Sequence, residues 1–377
     1  MIESPGILTT LLAFVLVLGP LVFVHELGHY LVGRWCGVKA EEFSIGFGRE
    51  IVGWTDRLGT RWKIAMLPLG GYVRFAGDMN AASQPSSEWL ALPAEERART
   101  FQSKRLWQRA LIVAAGPVTN FLLAFLIIVG WATAYGIDQT PTVVGQVQPG
   151  SAAAIAGLRL GDRITAIDGR SMATFTDLKT YVVMRPAERV DIALDRGGEP
   201  LSVVLKVGTH VERDRFGNEY RFGLLGVSPI NPVYERVGLT EAPVVAVNKI
   251  AAIVRTQVDA LWQIITGRRS ADELGGPLRI ARVSGEQLAL GWPELIQFIT
   301  MLSINLGFIN LLPVPVLDGG HLLFYAIEGI QRRPVEPQLQ EWAFRGGPAA
   351  ILALMIFVTF NDLGSFGVWK NLAGLIG

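Results

Sequence analysis

Residues 25–29 read His25-Glu26-Leu27-Gly28-His29 and follow an uncharged stretch, residues 6–24, with the sequence GILTTLLAFVLVLGPLVFV. This stretch is close to the roughly 20 residues that a helix needs to cross about 30 Å of hydrocarbon. No Lys or Arg precedes Arg34, so the segment lacks the basic start of a cleaved signal peptide. We therefore predict a retained first membrane span over about residues 6–33, with an HExxH pattern inside it.

The composition of the 377-residue chain is that of a membrane protein. Half of the residues are hydrophobic and only 18% are charged, which is too apolar for one soluble domain of this length and excludes a purely cytosolic enzyme. The net charge of +1 argues against a nucleic-acid partner. The single cysteine, Cys36, allows no internal disulfide.

Three further apolar runs predict further membrane spans. They cover about residues 110–136, 294–317 and 347–366, and Asp362 interrupts the last of them. The loop at residues 34–109 carries twelve Lys or Arg, which by the positive-inside rule faces the cytoplasm and leaves the long middle region outside. The sequence thus predicts a polytopic α-helical membrane protein of about four spans.

The middle of the chain has a different pattern. Residues 141–208 form short alternating stretches separated by glycines, which predicts a small β-rich domain. Within it, PGSAAAIAGLRLGDRITAIDGR at residues 149–170 resembles the PDZ family, whose members bind an extended peptide by strand addition. A β-domain that serves only as a spacer is the alternative.

Residues 241–267 have a helical period with one apolar and one charged side, which predicts an amphipathic helix on the membrane surface or under the β-domain. The expected organisation is therefore a membrane part, a PDZ domain, a region with the amphipathic helix and a second membrane part, at residues 1–137, 141–208, 209–292 and 293–377.

The HExxH pattern suits metal-assisted hydrolysis. Histidines four residues apart lie on one face of a helix, so His25 and His29 can bind one Zn²⁺ while Glu26 acts on a metal-bound water. Ionisable groups at membrane depth are costly and mark functional sites. The alternative, two histidines that cap a span at the interface, leaves Glu26 without a role.

A zinc site that keeps a position for water needs a third protein ligand. Residues 310–321 at the end of the third predicted span read NLLPVPVLDGGH. Asp318 and His321 are both chemically able to bind zinc, and spacing alone does not decide between them. His210 lies in the predicted soluble region and is a poor candidate.

HELGH in a first span together with NLLPVPVLDGGH in a later span resembles the site-2 protease family of intramembrane zinc metalloproteases. Further similar motifs are FSIGFG at 43–48, PLGGYVRFAGD at 68–78, AAGPVTNF at 114–121 and LGGPLRIA at 274–281. The chain is similar to the bacterial RseP-like branch over essentially its full length. Many members of that branch carry two tandem PDZ domains, whereas this chain has room for one.

The resemblance implies which residues act at the site. It implies that His25, His29 and Asp318 bind one Zn²⁺ per chain, that Glu26 is the general base and that His321 is a neighbour.

The resemblance also implies how the substrate is held. It indicates that Asn310 hydrogen-bonds the substrate backbone and that a membrane-associated β element at residues 40–78, including Gly46, Phe47 and Gly48, pairs with the unwound substrate. An ordinary cytoplasmic hairpin is the alternative.

A third motif is expected to have a packing role. Gly116, Pro117 and Asn120 are expected to allow close helix packing, with Asn120 as an interhelical hydrogen-bonding group outside the catalytic site.

The implied function is intramembrane cleavage of single-span proteins, of the anti-sigma factor or signal-peptide remnant type, after an upstream site-1 type protease. The implied location is the bacterial inner membrane, with the PDZ domain on the periplasmic or outer side and the active site toward the cytoplasmic side of the bilayer. Two alternatives remain, namely a non-catalytic PDZ-bearing membrane scaffold and a zinc hydrolase of lipid or another small molecule.

Overall fold

The HExxH stretch lies in an uninterrupted helix in a computed structural model, which describes residues 6–77, 93–213, 219–267, 275–333 and 335–365. The chain divides into two units. The first unit comprises residues 1–128 and 246–362, and the second comprises residues 129–245 and 363–377. In chain order the helices are α1 (Ile7–Trp35), α2 (Ala94–Arg97), α3 (Leu106–Ala134), α4 (Ala152–Ile155), α5 (Phe175–Val183), α6 (Ala242–Ile265), α7 (Pro277–Leu290), α8 (Trp292–Leu311), α9 (Asp318–Gln331) and α10 (Pro337–Ser365).

The strands fall into one long pair and a set of shorter ones. They are β1 (Ala40–Thr55), β2 (Arg61–Phe75), β3 (Ile137–Asp138), β4 (Val144–Val147), β5 (Arg163–Ile167), β6 (Arg170–Ser171), β7 (Arg189–Arg196), β8 (Glu199–Lys206), β9 (Gly208–Arg213), β10 (Glu219–Leu224), β11 (Val227–Pro229) and β12 (Tyr234–Glu235).

Within the described part of the chain, α1, α3 and α8 are long and apolar enough to cross a membrane. Two boundaries differ from the sequence prediction, because α3 begins at Leu106 and α8 ends at Leu311. The early end of α8 has a clear cause, since Pro313 and Pro315 follow and proline cannot continue a helix. Residues 347–365 of the last predicted run lie in α10, which begins earlier, at Pro337, and residue 366 lies outside the described residues. A fourth span stays a prediction.

The β element is wider than a simple hairpin. Residues 42–45 pair with residues 71–74 on one edge and with residues 61–64 on the other, and residues 52–55 also pair with residues 61–64. Two long strands therefore form a sheet that is four segments wide, with residues 71–74 at one border.

An aromatic cluster holds this sheet against α1. The ring of Phe43 stacks on Trp62 with centroids 4.3 Å apart, and the ring of Tyr30 packs edge-on against both. The indole Nε1 of Trp62 donates to Asp56 at 2.9 Å, and the Tyr30 hydroxyl donates to the same carboxylate oxygen at 3.4 Å. The border segment of the sheet is thereby kept beside the helix that carries the HExxH pattern.

Asp362, which interrupts the last apolar run, is a helix cap for another element. Its side chain accepts hydrogen bonds from the backbone N–H groups of Gly276 and Arg279 at 3.3 and 3.2 Å, at the beginning of α7. A carboxylate there satisfies N–H groups that a helix leaves free at its N-terminus and interacts favourably with the helix dipole. The acidic residue therefore ties α10 to α7.

The second unit is built around a four-stranded sheet with the order β6-β5-β7-β8. Alternate residues point into an apolar core, as in β7, where Val190, Ile192 and Leu194 are buried. Helix α5 begins with a capping box in which Thr174 and Asp177 satisfy each other's backbone N–H groups.

The β-rich unit extends beyond the predicted end at residue 208. Strand β11 pairs antiparallel with β4, and β12 pairs with β3, so the chain returns to its first strands before it leaves the unit. The sequence pattern missed these strands because each is only two or three residues long. Helix α6 agrees closely with the amphipathic helix predicted at residues 241–267.

Candidate metal centre

The two histidines of the HExxH pattern lie one turn apart on α1. Their Nε2 atoms face each other at 3.3 Å, and both side chains are largely buried. The buried Glu26 lies between them in the sequence. The helical spacing therefore places two imidazoles on one face with their ring nitrogens converging.

Asp318 reaches the same point from the first residue of α9. Its Oδ2 atom lies 3.3 Å from Nε2 of His25 and 3.5 Å from Nε2 of His29. The break that frees this residue from α8 comes from the two prolines already described. Gly319 and Gly320 then allow close approach, because a Cβ at either position would collide with the backbone of residues 311–315.

The three atoms fit a divalent metal ion. Oδ2 of Asp318 is buried and has no hydrogen-bond partner among the described residues, which is costly for a carboxylate in a protein interior. Ligand atoms at the corners of a tetrahedron, each about 2.1 Å from zinc, lie roughly 3.4 Å apart. The observed separations of 3.3 to 3.5 Å agree with that spacing. Two imidazoles and one carboxylate are also ligands that zinc accepts.

The structure separates the two candidates for the third ligand. Among the described residues, His25, His29 and Asp318 form the group with metal-binding spacing. His321 lines the same cavity but is not part of this group.

A second layer of contacts surrounds the histidines. Nδ1 of His29 lies 2.9 Å from the backbone oxygen of Ile112, and Nδ1 of His25 lies 3.0 Å from Nδ2 of Asn120. Both partners belong to α3. The interhelical hydrogen bond expected of Asn120 is present, but the expectation that this residue lies outside the site is wrong. The sequence does contain a signal for this position, because a polar asparagine within an apolar run at membrane depth indicates a functional site.

Gly116 of α3 is also part of this layer. A Cβ at this position would overlap Nε2 of His29 and lie 2.9 Å from Cε1 of His25. The glycine therefore gives the two imidazoles room against α3, which is a more direct role than the general helix packing expected from the sequence.

The cavity next to Glu26 has a volume of about 310 Å³. The border segment of the sheet approaches it closely, since a Cβ on Gly71 would lie 2.9 Å from Cγ of Glu26. The residues that line the cavity are His25, Glu26, His29, Gly71, Tyr72, Val73, Phe75, Phe101, Ile112, Val113, Asn310, Val316, Asp318 and His321.

The predicted substrate residues separate into two groups. Asn310, in the last turn of α8, lines the cavity. Gly46, Phe47 and Gly48 do not line it, because β1 bends there through two glycines at φ +90° and the later segment of β2 lies next to the site instead. Phe47 contacts the cavity lining through Tyr72, on whose ring it stacks.

These features define a class of protein. A buried glutamate beside a cluster of two histidines and an aspartate is the arrangement of a metal-dependent hydrolase. Its ligands lie on or next to helices long enough to cross a membrane.

Comparison with known proteins agrees with this class. The sequence profile of Peptidase family M50, the site-2 protease family, matches residues 13–354, and the chain belongs to this family. A candidate zinc metalloprotease of Agrobacterium fabrum is 46% identical over 96% of this chain and 98% of the relative. Metalloprotease MmpA of Caulobacter vibrioides is 38% identical over 98% of this chain and 99% of its own length. The chain is thus a zinc metalloprotease and a membrane protein.

Solved structures add little for the second unit. The PDZ domain of the SdrC-like protein from Listeria monocytogenes aligns with 25% of this chain and 92% of its own length, at 21% identity and a TM-score of 0.20. This similarity is too weak to assign a fold, and the PDZ domain stays a prediction.

Proposed function

We propose that the chain is an intramembrane endopeptidase that cuts peptide bonds within the membrane-spanning segments of single-span proteins. The observation that carries the proposal is the position of the ligand cluster and Glu26, which line one cavity together with the border segment of a sheet. A hydrolytic site and a surface suited to an extended peptide thus meet at one place.

His25, His29 and Asp318 would hold one Zn²⁺ per chain through Nε2, Nε2 and Oδ2. When bound, zinc polarises the scissile carbonyl and makes a water molecule more acidic. The negative charge of Asp318 offsets part of the charge of the ion in a setting of low dielectric constant.

Glu26 would act as the general base. Its carboxylate takes a proton from the attacking water and then passes that proton to the nitrogen of the leaving amine. Its burial beside the ligands keeps bulk water away from this transfer.

The substrate must be extended before it can be cut, because carbonyl groups within a helix are already hydrogen-bonded. Residues 71–74 pair with β1 on one edge only among the described strands. An unwound substrate segment would pair with the other edge by strand addition. Non-helical backbone at membrane depth is tolerated where it lines such a cavity.

Asn310 would contribute a second contact. Its amide, at the end of α8, would donate a hydrogen bond to a substrate carbonyl and hold it near the ligand cluster. Asn310 lies eight residues before Asp318, and the prolines that end α8 lie between the two.

The setting of this reaction is also proposed. The family resemblance favours the bacterial inner membrane, and the distribution of Lys and Arg favours a second unit on the periplasmic or outer side. As a PDZ domain, that unit would exclude substrates with bulky outer domains until an upstream site-1 type protease has trimmed them. Fusion of a folded domain to the outer side of a substrate should therefore prevent cleavage, and equal cleavage with and without the fusion would contradict the filter.

The main test is cleavage of a panel of tagged single-span proteins in cells that lack their own homologue. We expect the wild type to cut at a bond within the span, as located by product mass, and Glu26→Gln to cut nothing. Glu286→Gln, the same change at a half-exposed residue that pairs with Arg282 on α7, is the matched control and should cut like the wild type.

Two outcomes would favour other functions. Cleavage by Glu26→Gln at the wild-type rate would contradict the general-base role, whereas no cleavage of any protein by the wild type would favour a non-catalytic PDZ scaffold. Turnover of a lipid but of no peptide by the wild type would instead favour a small-molecule hydrolase.

A further inference from the structure

Asn120 is fully buried, and only half of its side-chain amide has a partner. Nδ2 lies 3.0 Å from Nδ1 of His25, whereas Oδ1 has no hydrogen-bond partner among the described residues. A buried amide oxygen without a donor costs free energy, and such groups are rare in native proteins. The orphaned oxygen next to a histidine therefore requires an explanation.

The proton on His25 supplies one. A neutral imidazole carries a single ring proton, so His25 can bind a metal through Nε2 only when that proton is on Nδ1. An amide NH₂ group that faces Nδ1 would force the proton onto Nε2. An amide oxygen that faces Nδ1 accepts the proton's hydrogen bond and leaves the lone pair of Nε2 free.

A turn of the Asn120 amide by 180° places an acceptor opposite Nδ1 of His25. The turn exchanges Oδ1 and Nδ2, which occupy nearly the same volume. Oδ1 then gains the N–H group of His25 as a donor. The turn also moves Nδ2 to the position at which Oδ1 has no hydrogen-bond partner among the described residues, so the proton that His25 needs on Nδ1 decides the orientation.

His29 shows the same arrangement without ambiguity. Its Nδ1 faces the backbone oxygen of Ile112 at 2.9 Å, and a carbonyl oxygen can only accept. The proton of His29 is thereby fixed on Nδ1 and its Nε2 is free. Helix α3 thus provides an outer partner for each histidine of α1.

The neighbouring contacts hold Asn120 in place. Oγ of Ser303 on α8 donates to the backbone oxygen of Asn120 at 2.8 Å. One residue earlier, Oγ1 of Thr119 donates to the backbone oxygen of Val24 at 3.0 Å. Helices α1, α3 and α8 are therefore tied together at the level of His25.

We propose that Asn120 is a positioning residue of the metal centre, whose Oδ1 accepts the Nδ1–H of His25 and so holds Nε2 toward His29 and Asp318. This inference rests on the ligands assigned under the proposed function. Outer partners of metal-bound histidines typically change metal affinity by about 10–100-fold. We expect a loss of that size when the acceptor is removed.

The test measures metal binding by the full chain in detergent. Zinc affinity is obtained by competition with a chelator, and the visible spectrum of bound Co²⁺ reports the ligand geometry. Asn120→Asp keeps an acceptor oxygen and should bind zinc at least as tightly as the wild type, with the wild-type cobalt spectrum. Asn120→Leu should bind about 10–100-fold more weakly. Thr133→Val on the same helix, which removes a hydroxyl that donates to the backbone oxygens of Val129 and Gly130, is the matched control and should bind like the wild type.

The proposal is overturned if a folded Asn120→Leu binds zinc as tightly as the wild type, or if Asn120→Asp loses about 10–100-fold in zinc affinity. The second criterion still decides if the leucine variant does not fold. His25→Ala separates the two levels of inference. Loss of zinc in His25→Ala but not in Asn120→Leu removes only the role of Asn120, whereas wild-type binding by His25→Ala removes the metal centre itself.

Discussion

Two aspartates, Asp162 and Asp318, show how differently the two units are built. Asp162 in the second unit receives hydrogen bonds on both carboxylate oxygens from Arg196, at 2.7 and 2.8 Å. Asp318 in the first unit has an Oδ2 atom without a donor and faces two histidine nitrogens instead. A buried carboxylate with its hydrogen bonds complete stabilises a fold, whereas one left incomplete beside other lone pairs indicates a ligand.

The surroundings of the two aspartates follow the same division. The second unit has an apolar core with Ile164, Ile167 and Ile192 fully buried. The first unit also has apolar clusters, but around the ligands it buries Asn120 and Ser303. We therefore expect substitutions in the second unit to change its stability, and substitutions at the metal centre to change its zinc affinity.

The largest effect is expected from a single methyl group at the metal centre. Gly116→Ala should abolish zinc binding and cleavage, because the new Cβ would overlap His29 and press on His25. Gly130→Ala on the same helix has no atom within 4 Å of the new Cβ and is the matched control. Zinc content and cleavage of both variants measure the effect, and normal zinc content in Gly116→Ala would show that the centre is more open than described.

A core truncation in the second unit should lower stability and leave zinc binding unchanged. Ile192 is 0% exposed, and Ile192→Ala should lower the free energy of unfolding of this unit by about 2–5 kcal/mol while zinc content is unchanged. Val204→Ala on the paired strand, where the side chain is 68% exposed, should cost little. Resistance to proteolysis in denaturant measures both, and equal losses in the two variants would contradict the assigned core.

The smallest effect concerns pH. The Arg196 guanidinium donates hydrogen bonds to Asp162 and holds the pKa of this carboxyl group below its ordinary value. Because the pKa is lowered in the folded state, the ion pair stabilises the unit above the unfolded value of about 4, and the stabilisation is lost as pH falls through the folded-state pKa.

The variant that tests this pH effect is Asp162→Asn. It should be less stable than the wild type at neutral pH and should lose less stability on acidification. Glu235→Gln, at an exposed position, should follow the wild type throughout. An unchanged acid profile in Asp162→Asn would show that other groups control the acid unfolding of this unit.

The sequence predicts those features of the first unit that depend on one local pattern. An uncharged stretch of span length followed by HExxH predicts both α1 and the convergence of His25 and His29, because helical spacing alone brings them together. Asp318 and His321 could not be separated by spacing. The break between α8 and α9 decides between them, and its geometry depends on contacts of Gly319 and Gly320 with the preceding turn.

Other features depend on tertiary contacts that no local pattern contains. Gly46 and Gly48 belong to a clear sequence motif, yet residues 71–73 of β2 line the cavity instead. The short strands β11 and β12 depend on pairing with β4 and β3, which lie far away in the sequence. The sequence predicts a hydrogen bond of Asn120 between helices, but not that its partner is the metal-binding residue His25.

The most direct test of the metal centre is the amount of zinc bound per chain in the wild type, Glu26→Gln and Asp318→Asn. We expect one zinc per chain in the wild type and in Glu26→Gln, which loses only cleavage. Asp318→Asn, which removes the ligand charge at nearly constant volume, is predicted to lose most of its zinc. Full zinc occupancy in Asp318→Asn, or loss of zinc in Glu26→Gln, would contradict the assignment of ligands and base.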